Sequence, residues 1–382
     1  MFDRPLWHAG FRPFFLLAFA SGALLPVIWA LVFAGAIALP ATGVPALAWH
    51  AHEMFYGFGW AVLGGFLLTA TKNWVKIRGI HGAALALAAA LWLLERAAVF
   101  LPPDPLRLVL LNLFPVYVVG YVVTTLVRYR RHDTFFPDNL FFIVALPLFL
   151  VAKNLLISPA GWTVGVAMTV GLFRLPFAVM FERTMTQFMR NAMGVDLPRT
   201  PWLDRAIKVL LLVAIFEALL PTTIAGIVLA LAALLLFARL LTWKPLVGLR
   251  RFEIAIMYVG YFGLVLHLVL AALRTTGLFT GVGTLSLHTF TLLTMGVVIP
   301  GMLIRISQGH TGRKLLFTRS DRFAIGAMGV AAFFRLVATQ LWPARYTDWV
   351  SLAALGWSAC FVLVGIRLAP FLWKARVDGK LH

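Results

Sequence analysis

The stretch LAWHAHEMFYGFGWAVLGGFLLTATKNW (Leu47–Trp74) has the length and the apolar composition of a helix that crosses a membrane. Near its start it nevertheless carries His50, His52 and Glu53. Ionisable side chains are costly at the edge of a hydrocarbon layer, so this grouping marks a candidate functional site. The rest of the chain is also apolar, because 62% of its 382 residues are hydrophobic and only 12% are charged. One soluble core could not bury that much apolar surface, and the sequence therefore predicts an all-α polytopic membrane protein.

Polar residues divide the chain into candidate spans, each with the roughly 20 mostly apolar residues that a crossing needs. We predict about twelve transmembrane helices, at residues 12–38, 51–73, 80–100, 105–128, 137–157, 162–190, 203–220, 222–243, 252–274, 284–306, 321–342 and 346–373. Together they are expected to form a single transmembrane domain over residues 1–382, without a soluble domain.

The distribution of lysine and arginine gives these spans a direction, because positive residues concentrate in cytoplasmic loops. With the N-terminus placed in the cytoplasm, the inside segments carry 26 of the 33 Lys and Arg residues and the outside segments carry 5. A miscounted span would disturb this alternation, so both termini are predicted to be cytoplasmic. We attribute the net charge of +19 to these basic loops, which argues against nucleic acid as a partner.

The histidines are the leading candidates for binding a metal. Cys360 is the only cysteine, which excludes disulfides and thiolate clusters and leaves His, Met, carboxylate or backbone ligands. The predicted orientation places four of the nine histidines in the outer leaflet, namely His50, His52, His267 and His288. Imidazole is a favoured ligand of haem iron, copper and zinc, so we predict that some of these four bind a metal. Met295 is a further candidate, because it follows His288 by seven residues and shares its helix stripe.

Helical geometry limits how His50 and His52 can act together. Residues i and i+2 of a helix point about 200° apart, so the two imidazoles cannot face one point of a regular helix. They would share a metal only if the segment is unwound, and otherwise they face separate partners. Glu53 follows His50 by three residues and shares its face, so it is expected to orient an imidazole or to stabilise the helix N-terminus.

Arg174 and Arg335 lie near the middle of predicted spans. A charged arginine at that depth is costly unless it is paired or hydrated, so each is expected to meet a glutamate or a haem propionate. The candidate acids are Glu53, Glu95, Glu182 and Glu217. Between two later spans, glycines in the segment IRISQGHTGRKLLF (Ile304–Phe317) suit a tight turn. Its His310 and Arg313 are expected either to cap a helix or to bind an anion or cofactor.

Three stretches of the chain resemble the NnrS family of bacterial membrane proteins: GFRPFFLLA (Gly10–Ala18), Trp49–Trp74 and GHTGR (Gly309–Arg313). With the twelve-span layout, the resemblance covers essentially the whole chain. It implies a multi-pass protein of the bacterial inner membrane that contains haem and copper and takes part in the response to nitric oxide and nitrosative stress, as in denitrification. It also implies a role for the residues at matching motif positions, which are Arg12, His50, His52, Glu53, Asn73, His310 and Arg313.

The chain departs from the family pattern in the sixth predicted span. The family usually shows an arginine followed by a string similar to Ile-Pro-Phe-Phe-Thr. Here Arg174 and Pro176 are kept, but the string continues as FAVMFERTMTQFM. We interpret this departure as the mark of a divergent sub-branch.

Three functions compete on this sequence. The first is a protein that binds haem b, with or without copper, and takes up nitric oxide or a related small ligand near the outer face; whether it catalyses a reaction, carries electrons or transports a metal stays open. The second is a respiratory oxidase or reductase core, which needs adjacent histidines in one helix, and the sequence contains no His-His pair. The third is a secondary transporter without metal, which would use Arg174, Arg335 and the membrane glutamates.

Overall fold

The computed structural model describes residues 3–40, 43–136 and 138–380, and within them every regular element is helical. In this part of the chain, ten helices are long and apolar enough to cross a membrane: Phe11–Phe33, Ala46–Trp74, Pro105–Arg128, Asp138–Ile157, Trp162–Met193, Thr222–Thr242, Phe252–Thr275, Leu285–Gly309, Arg319–Leu341 and Pro343–Trp373. The prediction of an all-α fold is thereby confirmed, with ten candidate membrane-spanning helices in the described chain. The predicted span start at Pro137 lies outside the described residues.

Several spans are interrupted, so their helical pieces are numbered separately. The α-helices are α1 (Phe11–Phe33), α2 (Ala46–His52), α3 (Trp60–Trp74), α4 (Gly82–Ala98), α5 (Pro105–Arg128), α6 (Asp138–Ile157), α7 (Trp162–Met193), α8 (Pro201–Val213), α9 (Thr222–Thr242), α10 (Pro245–Gly248), α11 (Phe252–Thr275), α12 (Leu285–Thr289), α13 (Val297–Gly309), α14 (Arg319–Phe333), α15 (Thr339–Leu341) and α16 (Tyr346–Trp373). Three π-helical segments join α2 to α3, α12 to α13 and α14 to α15, namely Glu53–Gly59, Phe290–Gly296 and Phe334–Ala338.

Two of the twelve predicted spans are not among the ten candidate membrane-spanning helices, because the helices they form are too short. The one predicted at 80–100 forms α4, which has 17 residues. The one predicted at 203–220 forms the 13-residue α8 and then a 3-10 segment, Ala214–Leu219, with non-helical dihedrals at Phe216. A straight crossing takes about 20 residues, so these two helices are marginal by length. The count of twelve spans therefore stays a prediction.

The outward faces of the bundle are apolar. Large hydrophobic side chains such as Leu24, Leu234 and Ile366 are exposed, as expected for surfaces that contact lipid. Inside the bundle, α1 packs against α3 and α16, while α11 packs against α9 and the Phe290–Gly296 segment. Close approach of α6 and α7 depends on Gly165, where a Cβ atom would collide with the backbone nitrogen of Leu156.

Candidate functional site

A cavity of about 600 Å³ lies among the helices at the end of the bundle where α2 and α12 begin. Its size falls within the roughly 300–1,000 Å³ that is usual for ligand and cofactor sites. Seven of the residues singled out in the sequence line it, namely His50, His267, His288, Met295, Arg174, Arg335 and Glu217. The residues predicted to share one leaflet and the two membrane arginines are therefore brought together, with the exception of His52.

The three π-helical segments of the described chain all border this cavity. Met54 and Phe58 come from the first segment, Leu292 and Met295 from the second and Arg335 from the third. A π-helical turn inserts an extra residue into an α-helix and occurs frequently at functional sites. The backbone is thus deformed in three different spans where they meet the same space.

His50 presents its ring to the cavity. The imidazole stacks on Trp29 of α1, with ring centroids 4.2 Å apart and planes 13° from parallel. No residue in the described part of the chain forms a hydrogen bond with its ring nitrogens, so a nitrogen lone pair is available to a ligand in the cavity. The aromatic contact holds the ring in place and leaves its nitrogen atoms free to bind a metal.

His288 is held in a different way. Its Nδ1 lies 2.9 Å from the backbone oxygen of Thr284, so Nδ1–H donates and the lone pair stays on Nε2. Metal-binding histidines usually donate their second ring nitrogen to a carbonyl or carboxylate in this manner. Both His50 and His288 therefore offer a free imidazole nitrogen to one cavity, with the buried Met295 nearby.

His267 differs from these two because both of its ring nitrogens are engaged. Nδ1 lies 2.7 Å from the backbone oxygen of Ser286, and Nε2 lies 2.9 Å from the guanidinium Nε of Arg174. The ring therefore donates at Nδ1 and accepts from the arginine at Nε2. A metal could use this histidine only after the bond to Arg174 had broken, and its ligand role stays a prediction.

The two membrane arginines have different partners. Arg174 forms a two-pronged ion pair with Glu217, with nitrogen–oxygen distances of 2.7 and 3.3 Å. Arg335 lies 5.3 Å from the ring centroid of Tyr346 and donates to the hydroxyl of Thr284 at 3.3 Å. Among the described residues, no carboxylate lies within 4.0 Å of Arg335. One arginine is neutralised within the protein, whereas the other faces the cavity without a carboxylate partner.

His52 belongs to a separate group of buried charges. Its Nδ1 lies 2.9 Å from Glu53, Glu53 pairs with Arg96 at 3.1 Å, and Arg96 pairs with Glu95 at 2.6 Å. Lys153 completes the group through an ion pair with Glu95. The chain remains helical through both histidines, so they face separate partners, as helical geometry requires. Glu53, the first residue of the π-helical segment, contacts His52 and not His50, whose face it was predicted to share.

Gly57 leaves room for this group of charges. A Cβ atom there would lie 2.5 Å from Nη1 of Arg96 and 3.1 Å from the Glu53 carboxylate. The backbone oxygen of Gly57 also accepts a hydrogen bond from the indole of Trp92 at 3.1 Å. A side chain at this position would push the arginine away from its carboxylate partner.

The remaining motif residues lie at the opposite end of the bundle, where α1 begins and α13 ends. Arg12 donates to the backbone oxygens of Leu372 and Lys374 at 2.8 and 2.7 Å, which ties α1 to the end of α16. The ring of His310 lies 5.4 Å from that of Phe11. The first and third family-like stretches therefore meet, far along the spans from the cavity.

This end of the bundle is basic. Burial, followed by the charges of Lys72, Arg376 and Arg12, lowers the pKa of His310 to about 4, so the ring is neutral at neutral pH. The guanidinium of Arg313 lies 4.2 Å from the ring centroid of Phe371.

Asn73 lies in the last turn of α3, at the same basic end, and its side chain is exposed. Lys72 precedes it, and Trp74 ends the helix beside it. Asn73, like Arg12, His310 and Arg313, does not line the cavity.

Comparison with known proteins gives one family. The family model described as NnrS protein matches residues 5–376, which include every residue that lines the cavity. No curated protein matches the chain. The match therefore covers nearly the whole chain, both the cavity and the basic end.

Proposed function

The chain belongs to the NnrS family, and on that premise we propose that it binds haem b in the cavity and takes up nitric oxide or a related small ligand there. The family resemblance supplies the link to nitric oxide. The observation that carries the proposal is the pair His50 and His288, which line one cavity and each offer an unengaged ring nitrogen. Membrane-crossing helices are consistent with contact with a lipid bilayer.

The donor set suits haem better than a protein-bound metal ion. Among the described residues, no group of three or more His, Cys, Asp or Glu side chains is placed to hold a metal ion. Haem needs only one or two axial ligands from the protein, because the porphyrin supplies the other four nitrogens. Copper would depend on Met295 beside the imidazoles, since thioether sulfur favours Cu(I). Between the two groups, we therefore propose haem ahead of copper.

Cationic side chains would hold the propionates of such a haem. Arg335 and Arg274 both line the cavity, and neither has a carboxylate within 4.0 Å in the described chain. Guanidinium groups pair strongly with carboxylates, so these two arginines are the better candidates. Arg174 is less suited than the sequence indicated, because Glu217 already neutralises it.

The residues around the cavity would have different roles. Haem, when bound, supplies an iron that binds nitric oxide. Thr284 would orient the ring of His288 toward such a group, and His50, which stacks on Trp29, would offer a second imidazole to the same cavity. Phe55 and Phe58 line the cavity with apolar surface, which disfavours water and admits an uncharged gas from the lipid.

We further propose that all twelve predicted spans cross the bacterial inner membrane, with both termini in the cytoplasm and the cavity near the outer face. This orientation rests on the excess of Lys and Arg in the predicted inside segments. The meeting of Arg12, His310 and Arg376 at one end of the bundle, away from His50 and His288, supports it.

Nitric oxide is expected to shift the optical spectrum of the purified protein. Anaerobic, dithionite-reduced protein should show a Soret band that moves on addition of nitric oxide and saturates at a stoichiometric amount. The measurement is a titration followed by absorption spectroscopy, with nitrogen-saturated buffer as the control. A haem spectrum that nitric oxide leaves unchanged would remove this part of the proposal.

A transporter without metal is the second candidate, favoured by one observation. The Arg174–Glu217 ion pair lines the same cavity and could contact a charged solute. Uptake into proteoliposomes by metal-free protein would support this alternative over haem binding.

A further inference from the structure

A second cavity, of about 510 Å³, forms a groove between α6 and α8 on the side of the bundle. We call it the α6–α8 groove. Its walls are mostly apolar, formed by Leu140, Phe141, Val144, Val209 and Leu212. At one end it is lined by charged residues that include Arg199, Arg205 and Lys208.

The apolar walls of the α6–α8 groove are exposed, as expected for a surface that contacts lipid. Val144 and Val209 on its walls are 52% and 47% exposed, and lipid is the solvent that tolerates such apolar surface. Trp202, one turn from Arg205 at the start of α8, is 66% exposed. Tryptophan is enriched at membrane–water interfaces, so the charged end of the groove lies at the level of the lipid headgroups.

The charged end carries an excess of positive charge. Lys208 pairs with Asp138 at 2.6 Å and with Glu182 at 3.1 Å, while Arg199 pairs with Glu182 at 2.8 Å. With all groups ionised, three carboxylates lie among five cations. The carboxylates are those of Asp138, Glu182 and Asp204, and the cations are those of Arg183, Arg199, Arg205, Lys208 and Arg239. Arg205 is exposed and has no carboxylate within 4.0 Å in the described chain.

We propose that the α6–α8 groove binds an anionic phospholipid. Its acyl chains would lie along the apolar walls, and its phosphate would meet Arg205 and the half-exposed Arg199. Basic pockets between transmembrane helices bind anionic lipids in this way. A second copy of the chain fits less well, because it would bring the same positive surface to the groove.

Charge removal tests the headgroup contact. Native mass spectrometry of the full-length protein in detergent would measure binding of phosphatidylglycerol and phosphatidylcholine with identical acyl chains. Arg205→Gln is expected to weaken phosphatidylglycerol binding about fivefold, the loss for one cation near a lipid surface, and to leave phosphatidylcholine unaffected. The matched control is Arg131→Gln, since Arg131 is also exposed but does not line the groove. Equal affinity for both lipids in the unmodified protein, or equal losses in the two variants, would overturn the proposal.

Filling the groove tests the acyl-chain contact. Val209→Trp is expected to reduce retention of phosphatidylglycerol, whereas Val213→Trp, on the same helix but outside the groove, should leave it unchanged. Glycerophosphoglycerol, which has no acyl chains, should not compete with the lipid. Competition by this soluble headgroup would instead indicate a simple anion site, and loss of a dimer in Val209→Trp would indicate a second copy as the occupant.

Discussion

His288→Ala is expected to abolish the haem Soret band of the protein purified with haem available. His288 is the histidine whose Nδ1 is anchored to Thr284, which leaves its Nε2 lone pair free to bind iron. Removing a residue that only hydrogen-bonds to a metal ligand lowers metal affinity by roughly 10–100-fold. Removing the ligand itself should lower the affinity further. His50→Ala is expected to weaken or shift the band, because His50 is the second donor.

His81→Ala provides the control for this experiment. Its Nδ1 lies 2.8 Å from the backbone oxygen of Gly79, just before α4, and it does not line the cavity. The spectrum should therefore match that of the unmodified protein. An unchanged spectrum in both His50→Ala and His288→Ala, or a spectrum lost in His81→Ala, would contradict the assignment of the ligands.

Arg174→Met is expected to produce the largest loss of stability among single substitutions in the cavity. Arg174 is buried, pairs with Glu217 and donates to His267. Breaking a buried ion pair by removing one partner typically costs about 3–5 kcal/mol, because the other charge is left without compensation. The unfolding temperature in detergent is expected to fall by a correspondingly large amount.

A double-mutant cycle separates the pair from other effects of the substitution. Arg174→Met combined with Glu217→Gln should be less destabilising than the sum of the two single changes, since no lone charge remains. Arg190→Met is the matched control on the same helix, because its ion pair with Asp196 is exposed, with side chains 72% and 73% accessible. Additive single effects, or an Arg174→Met protein as stable as Arg190→Met, would show that the ion pair does not stabilise the bundle.

The spans could be predicted from the sequence because hydrophobic length is a local property. The prediction of 105–128 coincides with α5, and that of 252–274 differs from α11 by one residue. The first span ends earlier than the predicted residue 38. Helix α1 stops at Phe33, because Gly35 just beyond it adopts a φ of 73°, which ends a helix. The three π-helical segments were not predicted from the sequence.

Three of the four histidines grouped by the sequence line one cavity, but their contacts could not be predicted. Charge counting predicts that His50, His52, His267 and His288 share one leaflet, and all but His52 line the cavity. Which side chains face each other depends on the rotation of each helix about its own axis. The hydrophobic pattern of a single sequence does not show this rotation. The bond from Arg174 to His267 and the choice of Glu217 among four candidate acids therefore emerged only from the structure.

Haem binding in the cavity lined by His50 and His288 underlies the predictions for both histidines. Its most direct test is the haem and metal content of the unmodified protein, purified from cells supplied with haem, measured together with the optical spectrum. We expect a red preparation with a Soret band and equimolar iron. A colourless, metal-free protein would contradict it and would favour the transporter.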